Sequence, residues 1–97
     1  MTEKTKRSHY EIIYDVLLSC INGTKKTRLM YNANLSFQLL NKYLDLLINK
    51  GLIMKKDDKY VITEKGLQYI KYHQMLKEKK HEIDEILKKL NECIQNP

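Results

Sequence analysis

The chain has 97 residues, 42% of them hydrophobic, with one proline, three glycines and a formal net charge of +6. That length supports one modest core, and so few glycines and prolines leave no Gly/Pro-rich linker between domains. No run of about eighteen apolar residues is available to cross a bilayer, and the positive balance favours a polyanionic partner such as nucleic acid.

Residues 1–7 are charged and polar and read as a disordered basic arm. No apolar segment of signal-peptide length follows them, so an intracellular location is expected. Ser8 stands three residues before Glu11, the spacing at which a capping hydroxyl and a carboxylate satisfy each other's backbone amides. A first helix starts there. Ile12, Ile13, Val16, Leu17, Cys20 and Ile21 give it an apolar stripe, and Asn22-Gly23 ends it. Cys20 lies in that stripe and reads as a small buried hydrophobe.

Lys25, Lys26 and Arg28 then crowd the entry to a short helix carrying Leu29, Met30 and Tyr31. Only Asn32 to Leu35 separate it from Ser36, which can cap the next helix, a crossing arrangement of the helix-turn-helix kind. That next helix runs to Gly51, which can take the left-handed conformation past its end. Phe37, Leu40, Leu44, Leu47 and Ile48 recur on one side and are expected in the core, whereas Gln38, Asn41, Lys42, Asp45 and Asn49 fall on the other. Amides and an ammonium on an exposed helical strip can bond base edges and phosphates in a major groove.

Leu52 to Lys56 and Lys59 to Thr63 can pair as two short strands about an Asp57-Asp58 turn, placing Lys55, Lys56 and Lys59 on a basic hairpin. Thr63-Glu-Lys-Gly66 opens the last element, a helix of about thirty residues. Tyr69, His73, Leu76, Lys80, Ile83, Leu87, Leu90 and Ile94 follow at steps of four and three, a heptad seam that needs a second helix. Nothing in the first 66 residues is left to supply it, so the same helix of another copy is the economical partner. Residues 1–66 carry 12 basic and 7 acidic side chains and residues 67–97 carry 6 and 5, which concentrates the positive field in the first part. The division expected is therefore a DNA-binding head over 1–66 and a dimerisation helix over 67–97.

With those pieces in order, the chain resembles the archaeal winged helix-turn-helix proteins that pair through a long C-terminal helix, the small basic chromatin-associated type. The resemblance rests on Ser-His-Tyr-Glu-Ile-Ile-Tyr-Asp-Val-Leu at 8–17, Lys-Lys-Thr-Arg-Leu-Met-Tyr-Asn-Ala-Asn-Leu-Ser-Phe at 25–37, Lys-Gly-Leu-Ile at 50–53 and Tyr-Val-Ile-Thr-Glu-Lys-Gly at 60–66. It implies a mainly α fold with a small β-hairpin: a winged-helix head followed by a C-terminal coiled-coil helix. It also implies an antiparallel pairing of two copies, the helix from Ser36 in the major groove, and the hairpin as a wing.

The function expected is a homodimeric double-stranded DNA-binding protein of the cytoplasm and nucleoid, either a transcriptional regulator or a chromatin-type architectural protein. Lys25, Lys26, Arg28, Lys42, Lys55, Lys56 and Lys59 would meet phosphates, and Ser36, Gln38 and Asn41 would supply selectivity; Asn34, in the turn before them, is counted in the same DNA-binding set. The alternative of a different class is a protein-interaction module that uses head and coiled coil without DNA. Catalysis is not expected: His9, His73 and His81 are scattered, and Cys20 and Cys93 form no metal-type pair, so neither a nucleophile with its base nor a zinc site can be assembled. No cofactor is expected.

Overall fold

The computed structural model describes residues 7–95. The elements run α1 (His9–Ser19), β1 (Thr24–Lys25), α2 (Lys26–Asn32), α3 (Phe37–Asn49), β2 (Ile53–Lys56), β3 (Lys59–Ile62) and α4 (Glu64–Gln95). Residues 1–6 of the expected basic arm lie outside the described residues. Arg7 is no part of a free arm: its guanidinium donates to the carbonyls of Ala33 and Asn34 at 2.8 Å each and pairs with Asp15 at 2.7 Å.

The Ser8 box forms as its spacing predicts, with the Glu11 amide donating to Ser8 Oγ and the Ser8 amide to the Glu11 carboxylate. Helix α1 stops at Ser19, one turn before the Asn22-Gly23 signal, so Ile21 lies in the turn and is exposed rather than in the buried stripe. Gly23 takes φ +79° there.

Helices α2 and α3 are joined by a turn in which Asn34 stands at φ 54°. The Leu35 amide donates back to Met30 O and the Asn34 amide to Tyr31 O, the paired bonds that close a helix through a left-handed residue. Leu35 and Ala33 are buried beneath it. Ser36 then caps α3 by accepting from the Leu39 amide at 3.2 Å. At the other end Gly51 is left-handed at φ +76°, and the Leu52 amide returns to Leu47 O at 2.8 Å.

Leu40, Leu44 and Leu47 of α3 are buried as expected, together with Tyr43. Phe37 and Ile48 are not: both are exposed. At 100° per residue they sit on the rim of the apolar stripe, at opposite ends of the helix, and Tyr43 on the other rim covers the core instead. The Tyr43 hydroxyl emerges from the core to meet His9 Nδ1 at 2.9 Å.

Strands β2 and β3 pair antiparallel about Asp57 and Asp58, with Asp57 at φ 58°. The hairpin is joined by β1 on its other side, so the sheet has three strands in the order β1-β3-β2. A two-residue strand carries too little pattern to be seen by alternation. The core collects Ile13, Val16 and Leu17 of α1 with Cys20 at its C-terminal cap, Leu29, the buried face of α3, Ile53, Tyr60 and Ile70.

Helix α4 leaves β3 without a linker. Thr63 Oγ1 donates to Gly51 O at 2.6 Å and accepts from the Gly66 amide at 3.2 Å, so one hydroxyl both caps α4 and ties it to the end of α3. Gly66 is buried so closely against Leu52 O and Ile62 that a Cβ would overlap both. The first turns of α4 then pack on α1, burying Ile70 and His73. Beyond His73 every described residue of α4 is exposed.

Candidate nucleic-acid interface

Helix α3 presents Gln38, Lys42, Asp45 and Asn49 to solvent and Asn41 half-buried beside them. Its outward strip is thus the amide and ammonium strip expected, with one carboxylate, Asp45, in it. The first helical turn is ordered from both sides: Ser36 caps it, and the turn before it is pinned by Arg7. Asn34 is exposed and closes the end of α2.

The basic residues fall into two groups. Lys26 reaches across to α3, with its ammonium 4.7 Å from the Phe37 ring centroid. Lys25, Arg28 and Lys59 line one open groove of about 690 Å³ with Thr27 and Tyr31, because β1 places Lys25 directly opposite Lys59 on β3. Lys55 and Lys56 continue along β2, and Lys55 lies 5.8 Å from the Tyr60 ring centroid. Asp58 answers Lys25 at 3.4 Å, both largely exposed, so this pair leaves the groove positive overall. Arg28, Lys42 and Lys56 are exposed.

Two contributors were invisible to pattern reading. Phe37, assigned to the core, stands 57% exposed at the start of the amide strip. Tyr31, also exposed, walls the basic groove. Burial of Cys20 pushes its thiol pKa up to about 12, so it is an inert core group. Among the described residues no group of His, Cys, Asp and Glu could hold a metal ion.

The residues assigned to the dimer seam divide as well. Leu76, Lys80, Ile83, Leu87, Leu90 and Ile94 are exposed along the free part of α4. Tyr69 and His73 are engaged within their own chain. The Tyr69 hydroxyl donates to Tyr10 O at 3.0 Å, and His73, 9% exposed, stacks on Tyr14 of α1 with centroids 4.1 Å apart. Burial, with Tyr10 and Tyr43 nearby, raises the Tyr69 phenol above its ordinary pKa. At the head end the open apolar stripe therefore turns away from α1 and continues through Tyr72 and Met75, both exposed. Ile86 joins it farther along.

A family model described as winged helix-turn-helix matches residues 6–81. An uncharacterized protein of Methanocaldococcus jannaschii is 44% identical over 62 residues, covering 63% of this chain and 64% of that protein. A second uncharacterized protein of the same organism is 37% identical over 62 residues, covering 63% of this chain and 29% of its own length. The matched part thus spans less than two thirds of these curated relatives. Among solved structures, the crystal structure of Sso10a-2, a DNA-binding protein from Sulfolobus solfataricus, superposes with a TM-score of 0.79 at 27% identity, over 94% of this chain and 100% of that one.

Proposed function

Because this chain belongs to the winged helix-turn-helix family, we propose that it is a double-stranded DNA-binding protein acting as a homodimer, either a regulator of transcription or an architectural protein of the nucleoid. The observation that carries the reading is the exposed amide strip of α3 with Lys26 of α2 beside its first residue, together with a separate basic groove that Lys25, Arg28 and Lys59 line on the other face of α2. Amides give bidentate partners for adenine, and cations hold the phosphate backbone. The likeness to Sso10a-2, itself a DNA-binding protein, supports the same reading. Lys42, Lys55 and Lys56 add phosphate contacts along α3 and the wing.

Homodimerisation rests on α4. Ile83, Ile86, Leu87, Leu90 and Ile94 are all more than half exposed on a helix of 32 residues, a stripe that an isolated chain would leave in water. Two features support an antiparallel pair. Side by side in parallel, Lys80 would face Lys80 of the second copy in one core layer; antiparallel, it meets an apolar layer near Ile86. Residues 67–80 carry Lys71, Lys77, Lys79 and Lys80 against Glu78, and residues 81–97 carry Glu82, Asp84, Glu85 and Glu92 against Lys88 and Lys89, so reversal also sets the basic half of each helix on the acidic half of the other.

Anisotropy titration of a labelled random duplex at rising salt tests the DNA reading. Log affinity should fall by about 0.9 per phosphate contacted for each log unit of salt, and removing Lys25, Arg28 or Lys59 should each flatten that slope by about one contact. No affinity for any duplex at low salt would overturn it. Competition with genomic fragments then separates the two roles, since a regulator prefers its site by about a thousandfold or more.

A further inference from the structure

The exposed ring at the head of α3 is out of place beside a helical strip made otherwise of polar groups. Phe37 is the first residue of the helix and 57% exposed. Asn41 lies one turn along the same line, and Gln38, next after Phe37, stands three residues before Asn41. Residues four apart on a helix are surface neighbours, so ring and amides form one small face. The Lys26 ammonium, 4.7 Å from the ring centroid, lies over that ring and favours one placement of it. Leu39 is on the opposite edge of α3, and Ile48 is three turns away. Along α3 the ring therefore lacks the exposed apolar neighbours that a protein-docking patch would bring.

Resting on the DNA-binding reading, we propose that Phe37 is a specificity-determining residue that reads the 5-methyl group of thymine, so that the first turn of α3 selects A·T base pairs. In the major groove the thymine methyl is the one apolar group that a base pair displays, and aromatic side chains contact it. Gln and Asn amides pair with N6 and N7 of adenine, the base opposite that methyl. Phe37, Gln38 and Asn41 thus converge on the two halves of the same base pair, and the N-terminal end of a recognition helix is the part that reaches base edges. The flanking lysines, which meet phosphates alone, carry no such preference.

The test uses the full chain and two duplexes of equal length, alternating dA·dT and alternating dA·dU, which differ in the methyl group. Wild-type protein should bind the thymine duplex more tightly, by about fourfold for each methyl covered. Phe37→Ala should bind both duplexes equally and keep the salt dependence of the wild type. Equal wild-type affinity for the two duplexes overturns the proposal, as does a Phe37→Ala protein that retains the preference. Failure to bind either duplex at low salt overturns the DNA-binding reading itself, and is told apart by that absence.

Discussion

Single residues show what periodicity can and cannot see. Cys20 was legible: it falls on the apolar stripe of α1 and is fully buried. Its thiol pKa is raised from 9.0 to about 12 by burial, and this sets a sign for alkaline stability. Below about pH 9 the thiol is neutral in the folded and the unfolded chain, and its contribution is fully present. As the pH climbs from 9 towards 12 the unfolded chain gives up the proton and the folded chain does not, so stability is lost across that window, by at most about 1.4 kcal/mol per pH unit. Urea melts from pH 8 to 11 should show this fall in the wild type and a shallower one in Cys20→Ala. Phe37 was not legible, because a residue on the rim of a stripe is buried or exposed according to what stands beside it. Here the neighbour is Lys26, a side chain from α2, and nothing in the spacing of α3 reports it.

At the scale of elements, most of the chain announced itself through its caps. Ser8, Ser36, Gly51 and Thr63 each mark a helix end by a local bond, and local bonds follow sequence spacing. What escaped notice is held by contacts distant along the chain. Strand β1 exists because Thr24 and Lys25 pair with Tyr60 and Lys59, and Arg7 reaches 26 residues ahead to the carbonyl of Ala33. The turn between α2 and α3 combines both kinds of bond, so it can be dissected. Asn34 at φ 54° occupies a conformation that costs an ordinary side chain about 1 to 2 kcal/mol, whereas glycine adopts it freely. Chemical denaturation should find Asn34→Ala less stable than wild type by about 1 kcal/mol and Asn34→Gly close to wild type. Arg7→Ala should lose at least as much, since it unpairs Asp15 and two carbonyls together. A turn loosened in this way also loses the aim of α3, so DNA affinity should fall along with stability.

The molecule as a whole is a compact head on a rod, 65 Å in its longest extent. The heptad spacing was legible along the free part of α4, where its residues from Leu76 to Ile94 stand exposed and form the proposed seam. It was misread at Tyr69 and His73, because the pattern does not say that α1 takes that flank first. In an antiparallel pair centred near Ile83, the two Cys93 thiols stand roughly 30 Å apart, and in a parallel pair they adjoin. Mild oxidation should therefore yield no Cys93-linked dimer on a non-reducing gel, while sedimentation finds two chains. Ile83→Asp combined with Leu87→Asp should convert the protein to single chains and lower duplex affinity by a hundredfold or more through loss of the linked second head. The junction at Thr63 and Gly66 adds a further consequence. One hydroxyl ties helix to head, and there is no space for even a methyl group beneath the first turn, so the start of α4 is packed directly onto the head. In the proposed pair the two heads would then stand like the jaws of a caliper set at one gap and one tilt. A duplex bound by both heads of the proposed pair would have to present its two contact points at that gap.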